Sequence, residues 1–161
     1  MRNILRHSAI LFASLFLFGF GEGYRPVGND LKVEERTFEI VNQSREKEGL
    51  NPLKIIPYMS ELAREHSLKM AQGFRAFGHR GWDERADLIF ENIEVEMVAE
   101  NVGFNKGYDK PEKQILEGWI KSKTHKQNIL NEEFDICGVG VAEADDGTFY
   151  FTQIFASYWE E

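Results

Sequence analysis

Two histidines and a carboxylate carry most of the chemistry this sequence offers: His79 in Phe77-Gly78-His79, Glu100 in Ala99-Glu100-Asn101-Val102, and His125 in Ser122-Lys123-Thr124-His125. An imidazole holds a metal ion or moves a proton near neutral pH, and a carboxylate does either as well. The apolar residues around them do neither. Together His79, His125 and Glu100 would make three ligands for a divalent cation such as zinc, with a position left for water. Alternatively, Glu100 would stand back from the ion as a base. The gaps between the three far exceed a zinc knuckle, so only a fold can assemble them. By composition alone, three unrelated surface or capping residues are the plainer account.

Ser122 lies just upstream of His125 and is the best candidate for a serine nucleophile. Such a serine needs a base within hydrogen-bond reach and a third group to orient that base. No Gly-x-Ser-x-Gly elbow is present, and a helix-end serine bonded to backbone is the simpler role. His66 sits on the apolar face of a helical pattern, which favours a hydrogen-bonded core histidine over a ligand. Asn101 and Asn128 are suited to satisfying backbone groups around the site. Gln153, in a terminal strand, would present an inward amide that needs partners. The sequence has no P-loop, dinucleotide fingerprint, His-Glu-x-x-His or calcium loop.

The elements that must position these residues follow from 161 residues, room for one domain with a hydrophobic core. Met1 to Arg6 is basic and Ser8 to Gly21 nearly all apolar, the pattern of a secretory signal peptide over 1–23. An uncleaved anchor is the alternative. Export places the protein outside the cell, in a periplasm or on the envelope, with membrane contact only if that segment is retained. A linker over 24–30 and a single domain over 31–159 follow. The formal net charge of −8 argues against nucleic acid as a partner, since phosphate binding draws on clustered Lys and Arg. Lys121, Lys123 and Lys126 form the one basic patch, either a solvated helix end or an anion guide. Cys137 is the sole cysteine, so no internal disulfide exists; its apolar strand-like surroundings suit a small buried hydrophobe.

Periodicity predicts a helix from Leu31 to about Glu48, capped by Asn29 or Asp30, with Arg45 among its outward residues. A second runs from the Pro57–Ser60 start to about Gln72. A third is capped by Asp83. Glu94 to Glu100 is ambiguous in type, Gly103 to Lys110 reads as loop, and Asp109 caps a helix that begins at Pro111 and ends near Ser122. Ile136 to Ala144 and Phe149 to Ala156 form a hairpin about Asp145-Asp146-Gly147-Thr148. Gly138 and Gly140 in its first strand imply close approach by a neighbour. Helices over an antiparallel sheet would bury these faces together.

Across Leu31 to Phe155 the ordered blocks Asn42-x-x-Arg45, His66-Ser67-x-x-Met70, Phe77-x-His79, Ala99-Glu100-Asn101-Val102, Trp119-x-x-Ser122-x-x-His125-x-x-Asn128, Gly138-Val139-Gly140 and Thr152-Gln153-x-Phe155 resemble the CAP superfamily. This superfamily, also called the SCP domain, includes cysteine-rich secretory proteins, venom antigen 5 and plant pathogenesis-related proteins. The likeness is closest to its compact bacterial branch. The resemblance implies an α+β fold, a three-layer α-β-α sandwich with a mainly antiparallel central sheet, exported and with a central cleft. The eukaryotic cleft carries two histidines and two glutamates. His79 and Glu100 match one of each, while Ser122 and Tyr150 stand where the others fall. His125 matches the histidine of bacterial relatives. Three readings remain: a binding or interaction module for a lipid, an envelope component or a protein; a metal-assisted hydrolase or peptidase; and a structural envelope protein.

Overall fold

The computed structural model describes residues 28–158. The proposed signal segment and residues 24–27 of the linker lie outside the described residues. The chain runs α1 (Gly28–Lys47), β1 (Lys54–Ile55), α2 (Pro57–Ala71), α3 (Trp82–Asn92), β2 (Val95–Lys106), α4 (Pro111–Lys121), α5 (Lys123–Ile129), β3 (Ile136–Glu143) and β4 (Thr148–Tyr158). The four strands lie in the order β1-β3-β4-β2. β3 and β4 form the predicted hairpin, β2 adds antiparallel to β4, and β1 adds parallel to β3. The sheet is therefore mixed, with the parallel pairing confined to Lys54↔Ile136 and Ile55↔Cys137.

Alternation along the strands splits the core in two, because successive side chains point to opposite faces. Cys137, Val139 and Val141 of β3 and Phe149, Phe151 and Phe155 of β4 pack with Val33 and Val41 of α1 and with Ile115 and Trp119 of α4. Ile136, Ile154 and Ala156 face the other way, onto Met59, Leu62 and Ala63 of α2 and Ile89 of α3. The outcome is an α-β-α sandwich. Gly138 and Gly140 let α2 lie directly on β3: a Cβ at the first would overlap the backbone of Met59 and Ser60, and at the second that of Ala63 and Arg64.

Several local expectations are corrected. α1 begins at Gly28, so Asp30 lies inside the first turn, not at the N-cap or in a linker. There it is buried, and burial first, then the charges of Glu143 and Glu34, push its carboxyl up to about 6. Gly103 to Lys106 is strand and not loop, because β4 offers a continuous ladder down to Lys106↔Thr148. Gly81 and Lys110, not Asp83 and Asp109, occupy the N-cap positions of α3 and α4, and neither makes a side-chain cap bond. Beyond the end of α4 near Ser122, residues 123–129 form a further helix, α5.

Arg45 is the largest correction, since it is only 1% exposed. Its guanidinium donates to the carbonyls of Asn51 (2.9 Å), Ile129 (2.8 Å), Asn131 (2.8 Å) and Phe134 (3.0 Å), tying α1 to the segments that lead into β1 and β3. A buried cation bonded to four carbonyls is tolerated because those acceptors would otherwise be orphaned. Arg45→Met is expected to lower the unfolding free energy by more than about 3 kcal/mol in urea titrations, with the m-value unchanged.

Candidate functional site

Glu100 and Asn101 are adjacent on β2, so they leave the strand on opposite faces. Glu100 turns toward α3 and Asn101 toward α5, and β2 is the sheet's edge. The site therefore wraps around an edge strand.

On the first face the Glu100 side chain is 1% exposed and bonded by Arg85, which donates from Nε to Oε2 (2.8 Å) and from Nη2 to Oε1 (2.8 Å) and Oε2 (2.6 Å). His79 Nδ1 lies 3.0 Å from Oε1, with the histidine side chain 51% exposed. Oε1 accepts from Nδ1, which leaves Nε2 as the ring nitrogen turned away from Glu100. Glu100 thus orients His79, much as a carboxylate behind a metal-bound or basic histidine does.

The loop that carries His79 is held from beneath. His66 is 1% exposed, and its Nε2 donates to the Gly78 carbonyl at 2.8 Å. Arg75 donates to the Arg80 carbonyl (2.7 Å), and Arg85 Nη1 to those of Arg80 (3.2 Å) and Gly81 (2.9 Å). Burial, then the charge of Arg85, pushes the His66 ring down to about 4 despite the Gly78 bond, and Arg75 and His79 add to the effect. The expectation of a core histidine holds, with the addition that it braces the His79 loop.

On the second face Asn101 Nδ2 donates to the His125 carbonyl (3.0 Å), and Asn128 Nδ2 to Asn101 Oδ1 (2.8 Å) and, at 3.5 Å, to the Glu100 carbonyl. These bonds dock α5 onto the open edge of β2 and place His125 near enough to His79 that the latter's charge, after burial, lowers the His125 pKa. Ser122 links α4 to α5 through its backbone, its N–H donating to Gly118 and Trp119 and its carbonyl accepting from Lys126. Its side chain makes no cap bond to α5, and none joins it to His125 among the described residues, so neither the nucleophile nor the backbone-bonded serine expected from the sequence is seen. Gln153 pairs in register with Asn101 and Val139 but points into the core with neither amide atom bonded to nitrogen or oxygen. Its amide lies instead against the Cys137 thiol, which burial pushes up to about 12, as expected of an inert cysteine.

A three-ligand metal centre does not fit this arrangement. Both Glu100 oxygens are engaged by Arg85, whose charge would oppose a dication, and among the described residues no three His, Cys, Asp or Glu side chains stand close enough to hold an ion.

A model of the cysteine-rich secretory protein family, CAP, matches residues 38–155. The chain belongs to the CAP family. Over 114 residues it is 32% identical to the uncharacterised Bacillus subtilis protein YkwD, covering 69% of this chain and 43% of YkwD. A cysteine-rich secretory protein from Staphylococcus aureus superposes with a TM-score of 0.64 at 26% identity, over 84% of this chain and 41% of that one. An outer surface protein of Borrelia burgdorferi shares the fold with a TM-score of 0.65 at 17% identity, over 84% of this chain and 97% of that one. This CAP domain thus spans less than half the length of YkwD and of the staphylococcal chain.

Arg85 is a site residue that the sequence reading does not single out. It lies on the apolar face of α3 with Trp82, Ala86 and Ile89, and a cation inside such a stripe is the signal that a buried partner awaits it. Arg85→Met should cost about 3–5 kcal/mol of unfolding free energy by stranding the Glu100 charge, and the Arg85→Met, Glu100→Met double variant should recover most of it; equal losses in both would show that the pair is not coupled. The neutral His66 makes a separate prediction. Unfolded histidine takes up a proton near 6.5 and the folded ring only near 4, so its share of stability is full above 6.5 and is lost as pH falls through that window. Between about pH 7 and pH 4.5, wild type should lose about 2 kcal/mol more stability than His66→Gln in paired urea titrations.

Proposed function

We propose that this CAP domain is an exported recognition module whose cleft straddles the β2 edge, with His79 and His125 as the ligand-facing groups. The observation that carries this reading is the Glu100 carboxylate bonded at once to Arg85 and to His79 Nδ1, which fixes a half-exposed imidazole with its other nitrogen outward. Glu100 is then a positioning residue. Asn101 and Asn128 are positioning residues as well, since they seat α5 and with it His125.

Export over 1–23 and residence outside the cell or on its envelope fit CAP membership and the secretory and outer-surface character of the relatives. Among the described residues no helix is long and apolar enough to cross a membrane. Envelope polymers, lipids and proteins are the partner classes such a location offers. A metal-assisted hydrolase would need Glu100 free to ligate or to activate water, and its ion pair with Arg85 favours binding over that reading.

The test is co-sedimentation of the full chain with insoluble cell-wall sacculi and, separately, with phospholipid vesicles, run beside a zinc titration. Wild type is expected to sediment with one of these, and the His79→Ala, His125→Ala variant to remain in solution while melting at the same temperature. Zinc should bind no tighter than about 1 µM, since two imidazoles make an incomplete site. Sedimentation that survives loss of both histidines, or nanomolar zinc binding abolished by it, would overturn the assignment.

A further inference from the structure

The sheet's other edge is finished by side chains instead of a strand. β1 covers β3 only at Ile136 and Cys137. Beyond it, the Val139 N–H donates to Ser60 Oγ (3.2 Å) and the Val141 N–H to Glu34 Oε1 (3.1 Å). Glu34 also accepts two bonds from Arg64, from Nε to Oε1 (2.8 Å) and from Nη2 to Oε2 (2.7 Å), a strap that joins α1 to α2 around the strand edge. Beside this strap lies a groove of about 470 Å³ that Val139, Leu31, Phe38 and Ile55 line with apolar surface and Glu35 and Glu61 with carboxylates.

Leu31 and Ile55 are 44% and 43% exposed, more than a large apolar side chain needs to be beside a sheet edge. The charge of Glu34 is matched by Arg64, whereas Glu35 and Glu61 make no ion pair among the described residues. The groove is thus apolar at its base and carries a net negative charge. An anionic ligand would be repelled there, and a lipid surface rich in acidic headgroups likewise. Because the β3 N–H groups at Val139 and Val141 already have acceptors, recognition would proceed through side chains and not by adding a strand.

We propose that this groove docks a partner protein through a segment that carries lysine or arginine beside apolar residues. The apolar side chains cover Leu31, Phe38 and Ile55, and the cations meet Glu35 and Glu61. The site stands at the opposite edge of the sheet from His79 and His125, so it is independent of the cleft.

The test uses a fluorescein-labelled peptide of mixed lysine and leucine, with a glutamate–leucine peptide of the same pattern as control, titrated with the full chain and followed by anisotropy. Saturable binding of the lysine peptide alone is expected, weakened about tenfold by Glu35→Lys with Glu61→Lys and by added salt, and unchanged by His79→Ala. Both glutamates are exposed, so the double variant should melt as wild type does. Replacing Leu31 and Ile55 by Ser should weaken binding with no change in its salt dependence. Absence of saturable binding, equal binding of the glutamate–leucine peptide, or unchanged affinity in the charge-reversed variant would overturn the proposal. So would a concentration-dependent dimer, seen by sedimentation, that the charge reversal abolishes; the groove would then serve a second copy of the chain.

Discussion

The Arg85–Glu100 ion pair is the constraint on which the candidate site depends. Burying two charges costs several kcal/mol each, and only close, multiple bonds offset that cost. Here three bonds of 2.6–2.8 Å join guanidinium and carboxylate, and Arg85 uses its remaining nitrogen on the Arg80 and Gly81 carbonyls. One cation thereby fixes a strand residue, the preceding loop and a helix relative to one another. His79 inherits its orientation from that arrangement. A metal at Glu100 would have to displace Arg85 and break the same bonds that position the loop.

Both lateral edges of the sheet are closed by polar side chains that reach across from the helical layers. At β2, Asn128 and Asn101 tie α5 to the strand. At β3, Ser60 and Glu34 occupy N–H groups that β1 is too short to reach. Unpaired edges invite association with other chains, and the Ser60 and Glu34 caps remove two β3 donors without adding a strand. They also bring residues of the two layers together, and both proposed sites stand at these edges.

The local corrections share a cause. Arg45 falls in line with Val33, Thr37 and Val41 at helical spacing, all of them buried, so polarity alone points it outward while its position on the helix points it inward. Glu34 resembles a break in the α1 stripe and is instead a buried partner of Arg64 and Val141. Arg85 stands in the same relation to the stripe of α3. In each case the side chain's identity suggests solvent, and only its distant partner explains its burial. Gly103 to Lys106 reads as loop for a related reason: its strand character comes from pairing with β4, which no local pattern reveals.

The sequence by itself determined the positions of α1 to α4, the terminal hairpin, the tight glycines of β3 and the CAP family. All of these are written in local periodicity or in ordered motifs. It also singled out His79, Glu100 and His125. The tertiary structure alone decided what those three do to one another. Glu100 and Asn101 are neighbours in the chain yet leave the strand on opposite faces, so His79 is held on one face by Glu100 while Asn101 holds the His125 backbone on the other. The carboxylate's role was set by Arg85, since the ionisation and availability of a buried group follow from its partners and not from its place in the sequence.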